Sequence, residues 1–262
     1  MSKTGSANMP NEYYRWAPGP PNSYGYFAEH YDELGWVRFT NSTFRKLKGL
    51  INKFKITPKE IVDFGCGTGE LLLRLSKHGF TGAGVDFSPG MINRAEEKLK
   101  DVEFELFTAD ICSADLSREF PLATCFFDTI NHISTRRQIK KFIKNARKHL
   151  SEGGMFVFDF LTPEGVKDWE GTEVTSNEDH FILQQGKFIE EKGKALVTIE
   201  GFVKQEDGKY RRFQQFLEHK GITVEEMAQY LNDAGFEHFS MQGFYHDWEL
   251  DHGGRILTVA CK

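Results

Sequence analysis

Short apolar runs alternate with amphipathic segments through the first two thirds of the chain. The runs fall at 61–64, at the segment ending in Asp86, and at 102–107, 123–127 and 155–160. Between the last two, residues 135–150 carry apolar side chains at the spacing of one buried helix face, namely Ile139, Phe142, Ile143, Ala146 and Leu150. Strands that alternate with helices predict an α/β fold with a doubly wound, mostly parallel, seven-stranded sheet.

The pattern changes to a period of two between about 174 and 219. Three such segments, 181–190, 194–206 and 209–219, are joined by Lys192-Gly193 and Asp207-Gly208, and Asp-Gly is a strong hairpin signal. After them, a capping box at Thr223 opens a helix, and 239–245 with 255–261 predict a closing antiparallel pair.

These segments divide the chain into three parts. We expect a flexible arm at 1–22, a main domain at 23–165 and 220–262, and an antiparallel strand insertion at 166–219. A simple extension of the sheet edge is one interpretation of this insertion.

The segment IVDFGCGTGE, residues 61–70, predicts a buried strand, a glycine-rich turn and the start of a helix. Gly65, Gly67 and Gly69 follow a G-x-G-x-G spacing, and Glu70 stands where a dinucleotide fingerprint has its third glycine. A carboxylate there would repel a diphosphate, whereas S-adenosylmethionine is a sulfonium without phosphate. An acidic turn with Asp63 and Glu70 therefore favours S-adenosylmethionine, with a nicotinamide cofactor or an ordinary loop as alternatives.

Acidic residues recur where the predicted strands end. Asp86 lies at the tip of the second strand, where such sheets hold a ribose, and Asp110-Ile111 could bond the adenine amino group and cover its ring. Because the carboxyl ends of parallel strands meet at one edge, we expect the acids to face one ligand crevice; they are Asp63, Asp86, Asp110, Asp128 and Asp159.

The motifs IVDFGCGTG, GVDFS, TADI, FFDTINHI and SEGGMFVFDF resemble those of class I S-adenosylmethionine-dependent methyltransferases, nearest to small-molecule enzymes of the glycine N-methyltransferase-like type. The resemblance implies that Gly65, Gly67 and Gly69 line the methionine and ribose portions. It implies that Asp86 holds the ribose and that Phe87 covers the adenine. It also implies that Asp110 and Ile111 contact the adenine and that Phe126 lies beside the methionyl part. The resemblance further implies that the insertion at 166–219 is a lid over the active site, with the edge extension as the alternative.

Upstream, the segment YFAEHYDELGW at 26–36 is similar to the aromatic helix that closes over the cofactor in this family. The resemblance makes Tyr31 and Arg38 candidate contacts with the methionine end. Core packing remains the alternative for Tyr31.

Methyl transfer from a sulfonium is an in-line displacement, so the protein must place the nucleophile and exclude water. Asp128 and His132 are the candidate catalytic bases, because the fourth strand ends beside the expected methyl position. An Asn/Asp-Pro-Pro-aromatic motif is missing there, which disfavours nucleobase and glutamine acceptors. No metal is expected, since Phe160 stands where a catechol-type site would need an Asn.

Charge and composition narrow the acceptor class. The net charge is −5 with a pI near 6.0 and no basic stripe, so nucleic acid is not expected as a partner. No apolar leader or membrane span is evident and the four cysteines lack disulfide spacing, so a cytoplasmic monomer or homodimer is expected. The sequence thus predicts methyl transfer to an O, N or C atom of a small molecule, releasing S-adenosylhomocysteine. A non-catalytic binding protein is the alternative, and an oxidoreductase a weaker one.

Overall fold

The computed structural model describes residues 24–245 and 254–262, and the predicted arm at 1–22 lies outside them. Within that range no helix is long and apolar enough to cross a membrane. All four cysteines are free thiols. The helices are α1 Phe27–His30, α2 Phe39–Phe54, α3 Glu70–Ser76, α4 Pro89–Leu99, α5 Arg136–Lys148, α6 Pro163–Lys167 and α7 Val224–Ala234.

Eleven strands are present in the described residues, and they form two sheets. The strands are β1 Glu60–Phe64, β2 Thr81–Asp86, β3 Phe104–Thr108, β4 Phe120–Cys125, β5 Leu150–Leu161, β6 Gly171–Ser176, β7 His180–Ile189, β8 Lys194–Lys204, β9 Tyr210–Lys220, β10 His238–Gly243 and β11 Arg255–Cys261.

The seven-stranded sheet has the order β10-β11-β5-β4-β1-β2-β3. β11 runs antiparallel to both of its neighbours, and the other strand pairs are parallel. The predicted fold class is therefore confirmed. Strand order reverses between β1 and β4, and this switch point is where doubly wound sheets bind their ligands.

Helices cover both faces of this sheet, which explains why its strands are apolar on both sides. On one face α5 packs through Ile139 and Phe142, together with α7 through Met227 and Leu231. On the other face α2, α3 and α4 contribute the apolar side chains Leu47, Ile51, Leu71, Leu72, Leu75, Ile92, Ala95 and Leu99. Four of the five positions predicted for the buried helix face, Ile139, Phe142, Ile143 and Ala146, form the buried face of α5, whereas Leu150 belongs to β5.

β5 begins earlier than the sequence indicates, at Leu150 instead of 155. Ser151 to Gly154 read as the end of a helix, but Leu150 already pairs with Phe120, and the register shifts between Phe120 and Leu122. Gly153 has a φ of +73°, which lets the strand continue through this irregularity.

The second sheet, in the order β6-β7-β8-β9, is an antiparallel meander. Three of its strands match the predicted hairpins, whereas β6 went unpredicted because all six of its residues are exposed and carry no apolar alternation. The buried face packs against aromatic side chains around α1; its residues are Ile182, Val197, Ile199, Val203, Phe213 and Leu217.

Candidate active site

A cavity of about 460 Å³ lies at the carboxyl ends of β1 to β4. One end is formed by the glycine turn, by Asp86 at the end of β2 and by Asp110 after β3, and the other by the turn after β4 and by Glu218 of β9. Its lining includes Tyr24, Tyr31, Gly65, Gly67, Asp86, Phe87, Asp110, Ile111, Phe127, Thr129, His132, Ser134 and Gln138. Seven of the predicted cofactor residues and His132 are thus brought together.

The three glycines of the turn have different surroundings, although each has a positive φ of +54° to +76°. A Cβ on Gly65 would meet the side chain of Thr129 at 2.5 Å, and one on Gly69 would meet Leu99 at 2.8 Å. Among the described residues, no atom beyond the two chain neighbours lies within 4 Å of the Cβ position of Gly67. Gly65 and Gly69 therefore permit close packing within the protein, and Gly67 leaves space open beside the cavity.

Asp86 links the glycine turn to the start of α4. Its carboxylate accepts hydrogen bonds from the backbone N–H of Gly67 at 2.9 Å and of Ser88 at 2.8 Å. Burial raises the pKa of Asp86 above its ordinary value, although these bonds oppose the shift. Next to it, Phe87 is 63% exposed. Asp110 accepts a bond from the N–H of Cys112 at 2.8 Å.

A smaller cavity of about 70 Å³ lies beside the turn and is lined by Tyr31, Asp63 and Phe126 among others. Asp63 is buried and accepts a hydrogen bond from Thr124 at 2.7 Å. Burial raises the pKa of Asp63 to about 7 despite that bond. Arg38 is exposed and lines neither cavity, so its contact with a ligand stays a prediction.

Glu70 is not the unpaired charge that the sequence argument assumed. Its carboxylate lies 2.8 Å from Arg74 and 3.3 Å from Lys98, and Lys98 also reaches Asp32 and Thr68. Two cations therefore neutralise the charge expected to repel a diphosphate. The argument that the charge of Glu70 would repel a dinucleotide was therefore wrong. The assignment of S-adenosylmethionine as the cofactor rests on other observations.

Asp128 lies behind the larger cavity and does not line it. It is 1% exposed; its Oδ1 accepts a bond from Arg255 at 2.8 Å, and its Oδ2 one from His219 at 2.9 Å. Burial alone would raise the pKa of Asp128, but Arg255 and His219 outweigh burial and hold it well below its usual range. This placement argues against the predicted proton transfer to Asp128.

Arg255 also pairs with Asp159, so one guanidinium joins the turn after β4 to β5 and β11. Asp159 in turn accepts bonds from the backbone N–H of Asp128. Burial raises the pKa of Asp159 to about 6 against the pull of Arg255. Arg255 was not predicted to be a site residue. The sequence held one signal for it: Arg255 is the single charged residue of an otherwise mostly apolar strand, and it stands at the start of that strand.

His132 lies on the 3₁₀ turn Thr129–His132, and its ring lines the larger cavity. Its Nδ1 is 3.2 Å from the carbonyl of Glu218, and its Nε2 is 3.8 Å from Asp128. Burial and the neighbouring His219 lower the pKa of His132 to about 3, so the ring is uncharged at neutral pH.

His219 is a site residue that the sequence analysis did not single out. It extends from β9, its ring stacks on Trp169 with centroids 4.4 Å apart, and the ring of His132 lies 4.4 Å away on another side. Residues 213, 215, 217 and 219 are the inward-facing positions of β9. The alternation thus marked His219 as inward, but its partner Asp128 is 91 residues away.

Asp128, His132 and His219 each offer one potential metal ligand, and these atoms lie within 4.8 Å of one another. The guanidinium of Arg255 already neutralises Asp128 and would repel a cation placed there. The donor set therefore does not suit a metal, and the expectation that none is needed stays a prediction.

Residues 61–154 match the family described as "Methyltransferase domain". The chain carries a class I S-adenosylmethionine-dependent methyltransferase domain. The match runs from β1 through the glycine turn and Asp86 to the irregular start of β5, so it includes most of the cavity lining.

Relatives extend the likeness beyond this methyltransferase domain. A Geobacillus sp. protein named as a methyltransferase is 27% identical over 92% of this chain and all of its own length. A dTDP-3-amino-3,4,6-trideoxy-alpha-D-glucopyranose N,N-dimethyltransferase of Streptomyces venezuelae is 25% identical over 65% of this chain and 70% of its own.

The fold is also that of a solved S-adenosylmethionine-dependent methyltransferase from Clostridium acetobutylicum. The TM-score is 0.76 at 24% identity, over 92% of this chain and 99% of that one. The enzyme is a methyltransferase that uses S-adenosylmethionine, as the resemblance implied.

Proposed function

We propose that this methyltransferase moves the methyl group of S-adenosylmethionine to an amine nitrogen of a hydroxylated small molecule, an amino sugar being the best-fitting class. The observation that carries the proposal is the cavity itself. One end, with Asp86 and Asp110, suits a nucleoside, and the other end is lined by aromatic rings and His132. A methyl group delivered from the first end would meet an acceptor held at the second.

In this proposal the cofactor lies across the carboxyl ends of the strands. Asp86 accepts hydrogen bonds from the ribose, Phe87 covers the adenine, and Asp110 with Ile111 bonds its edge. Gly65, Gly67 and Phe126 contact the methionine portion. Asp63, in the smaller cavity, faces the ammonium group of that portion. These roles follow the resemblance, and each of these residues except Asp63 and Phe126 lines the larger cavity.

An amine is favoured by the charge and the aromatic character of the acceptor end. The side chains of Tyr24, Tyr31 and Phe127 line it, and burial raises the pKa of both tyrosines, so their phenols stay neutral. Aromatic faces attract ammonium groups, and acidic residues on the same cavity add to that attraction. Thr129, Ser134 and Gln138 supply hydrogen bonds that suit hydroxyl groups.

The second sheet is proposed to cover the acceptor. β9 brings Glu218 to the larger cavity and His219 to its back wall. The side chain of Asn131 fixes this arrangement, because it donates to the carbonyls of Leu161 and Lys220 and accepts from the N–H of Leu161. The sheet thus reaches the site through the turn that follows β4. The named activity of the Streptomyces relative, methylation of an amino sugar nucleotide, agrees with this choice.

The test is an acceptor panel with matched pairs. Purified protein and S-adenosylmethionine would be incubated with dTDP-amino sugars, with the same sugars carrying hydroxyl in place of amine, and with a catechol. We expect methylated product and S-adenosylhomocysteine from amines, with at most trace product from the hydroxyl counterparts. Preferred turnover of the hydroxyl sugars or of the catechol would contradict the proposed acceptor class.

A further inference from the structure

The Nε2 atom of His219 is the starting observation. It is buried and has no hydrogen-bond partner among the described residues. Its other ring nitrogen, Nδ1, donates to Asp128 at 2.9 Å, and in the neutral ring this arrangement leaves a lone pair on Nε2. Leaving such an acceptor unsatisfied in a protein interior is unfavourable, so a ligand group is expected to bond it.

A small cavity lies beside this ring. Its volume of about 10 Å³ suits one water-sized group, and its walls are mainly aromatic, including Phe27, Trp36 and Trp169. Tyr24, Tyr31, Phe127 and His132 line both this cavity and the larger one, so the two adjoin. A group of the acceptor that enters from the larger cavity can therefore reach His219.

We propose that His219 is the proton acceptor of methyl transfer and that the small cavity holds the attacking amine. This inference rests on the proposed function and adds the residue that receives the proton. The nitrogen lone pair attacks the methyl carbon as the carbon–sulfur bond breaks, and the bonding pair leaves with sulfur as a neutral thioether. The surplus proton on nitrogen passes to Nε2 of His219.

Asp128 acts as a positioning residue in this arrangement. It holds the His219 ring through Nδ1, and its negative charge stabilises the imidazolium that forms. Arg255 and Asp159 keep Asp128 in place from behind. The charged or titratable groups facing His219 are Asp128, His132, Tyr24 and Tyr31, with Arg255 acting through Asp128.

The two bases expected from the sequence suit this step less well. Asp128 has its pKa held well below the usual range and both oxygens occupied. His132 faces the larger cavity, but its pKa of about 3 makes it a weak base. Of the three side chains, His219 is the one that combines a charge partner with an unsatisfied acceptor atom.

The first measurement needs no acceptor. Long-range proton–nitrogen NMR of histidine-labelled protein, saturated with S-adenosylhomocysteine, would report the tautomer of each ring, with His219→Asn used to assign the signal. We expect His219 to carry hydrogen on Nδ1 and none on Nε2. Hydrogen on Nε2 would overturn the proposal, because that nitrogen could not receive a proton.

The second measurement compares His219→Asn with His132→Asn on an amine that the panel identifies. The asparagine amide keeps a donor toward Asp128 and removes Nε2. We expect His219→Asn to lower kcat by about a hundredfold or more, with cofactor affinity and melting temperature close to wild type. His132→Asn should affect KM more than kcat. A kcat for His219→Asn within about threefold of wild type would overturn the proposal.

A His219→Gln variant is the control for a folding defect. Its amide group reaches the position of Nε2 but is not basic, so the variant should fold and bind the cofactor while its kcat stays low. The two hypotheses fail differently. If the panel yields no methylated amine in wild type, the proposed acceptor class fails, and the tautomer measurement still decides whether Nε2 can take a proton.

Discussion

The carboxylate of Asp128 accepts a 2.9 Å hydrogen bond from Nδ1 of His219, across 91 positions of sequence. Asp128 follows β4 of the main sheet, and His219 belongs to β9 of the second sheet. The bond therefore ties the part that carries the methyltransferase signature to the part that we propose covers the acceptor. Changes at either residue should affect catalysis more than cofactor binding.

Gly67 offers a clean test of the cofactor position. In Gly67→Ala the new Cβ projects beside the cavity and, apart from its chain neighbours, meets no atom within 4 Å in the part of the chain that the structure describes. The φ of +54° costs about 1 kcal/mol of strain. Gly193→Ala is the matched control, because Gly193 has the same φ, equally open surroundings and a place in a hairpin of the second sheet. Calorimetry should show cofactor affinity at least about tenfold weaker for Gly67→Ala alone. Equal affinities would remove the turn from the binding site.

Asp86→Ala should weaken S-adenosylmethionine binding by one or two charge-assisted hydrogen bonds, about 1.5–3 kcal/mol each. The carboxylate also accepts bonds from Gly67 and Ser88, so the melting temperature should fall modestly as well. Asp101→Ala, an exposed acid after α4, serves as the control and should change neither property. Binding of wild-type strength in Asp86→Ala would exclude the ribose contact.

Asp63 predicts a pH dependence of cofactor affinity. Its pKa of about 7 means that the side chain is largely protonated below neutrality, whereas a bound ammonium needs the carboxylate. Affinity should therefore rise with pH, by at most about tenfold per unit, and level off above pH 7. Calorimetry in buffers of different ionisation enthalpy should detect proton release on binding at about pH 6. An Asp63→Asn variant that keeps the wild-type slope would contradict this.

The carboxyl group of Asp63 also makes the free energy of unfolding depend on pH. The pKa in the folded state lies above the ordinary value of 3.8, so the folded state binds the extra proton. The contribution of Asp63 to the free energy of unfolding is therefore greatest at acid pH and is lost as the pH rises from about 4 to about 7. Asp63→Asn should flatten that part of the curve of unfolding free energy against pH.

Arg255→Met should destabilise the fold by about 3–5 kcal/mol, because it leaves Asp128 and Asp159 buried without their cation. Arg118→Met is the control: Arg118 also lies 4.6 Å from a phenylalanine ring and pairs with two carboxylates, but it is 37% exposed. Its loss should cost less than about 1 kcal/mol. Urea unfolding at neutral pH measures both, and equal losses would contradict the account of the buried network.

Local pattern was enough to predict most of the fold. The period of 3.6 residues located α5, the capping box located α7, and the glycine turn with its flanking strands located the end of the cavity that we propose holds the cofactor. These features are encoded within a few residues of one another. β6 was missed because an exposed edge strand needs no apolar alternation.

The other end of the cavity, which we propose holds the acceptor, could not be predicted in the same way. His219 and Arg255 reach Asp128 from strands far along the chain, and no local pattern states which inward-facing position meets which strand end. Glu70 failed only partly for this reason: Lys98 is 28 residues away, but the nearer cation, Arg74, lies four residues along the same helix and was a local signal. Long-range pairing of charges was the missing information for His219 and Arg255.

The most direct test of the account is calorimetric titration of ligand-stripped protein with S-adenosylmethionine. We predict saturable binding at a single site, competition by S-adenosylhomocysteine, and no heat of binding with NAD. Saturable binding of NAD together with no response to S-adenosylmethionine would contradict the central claim that the cavity beside the glycine turn holds a sulfonium nucleoside.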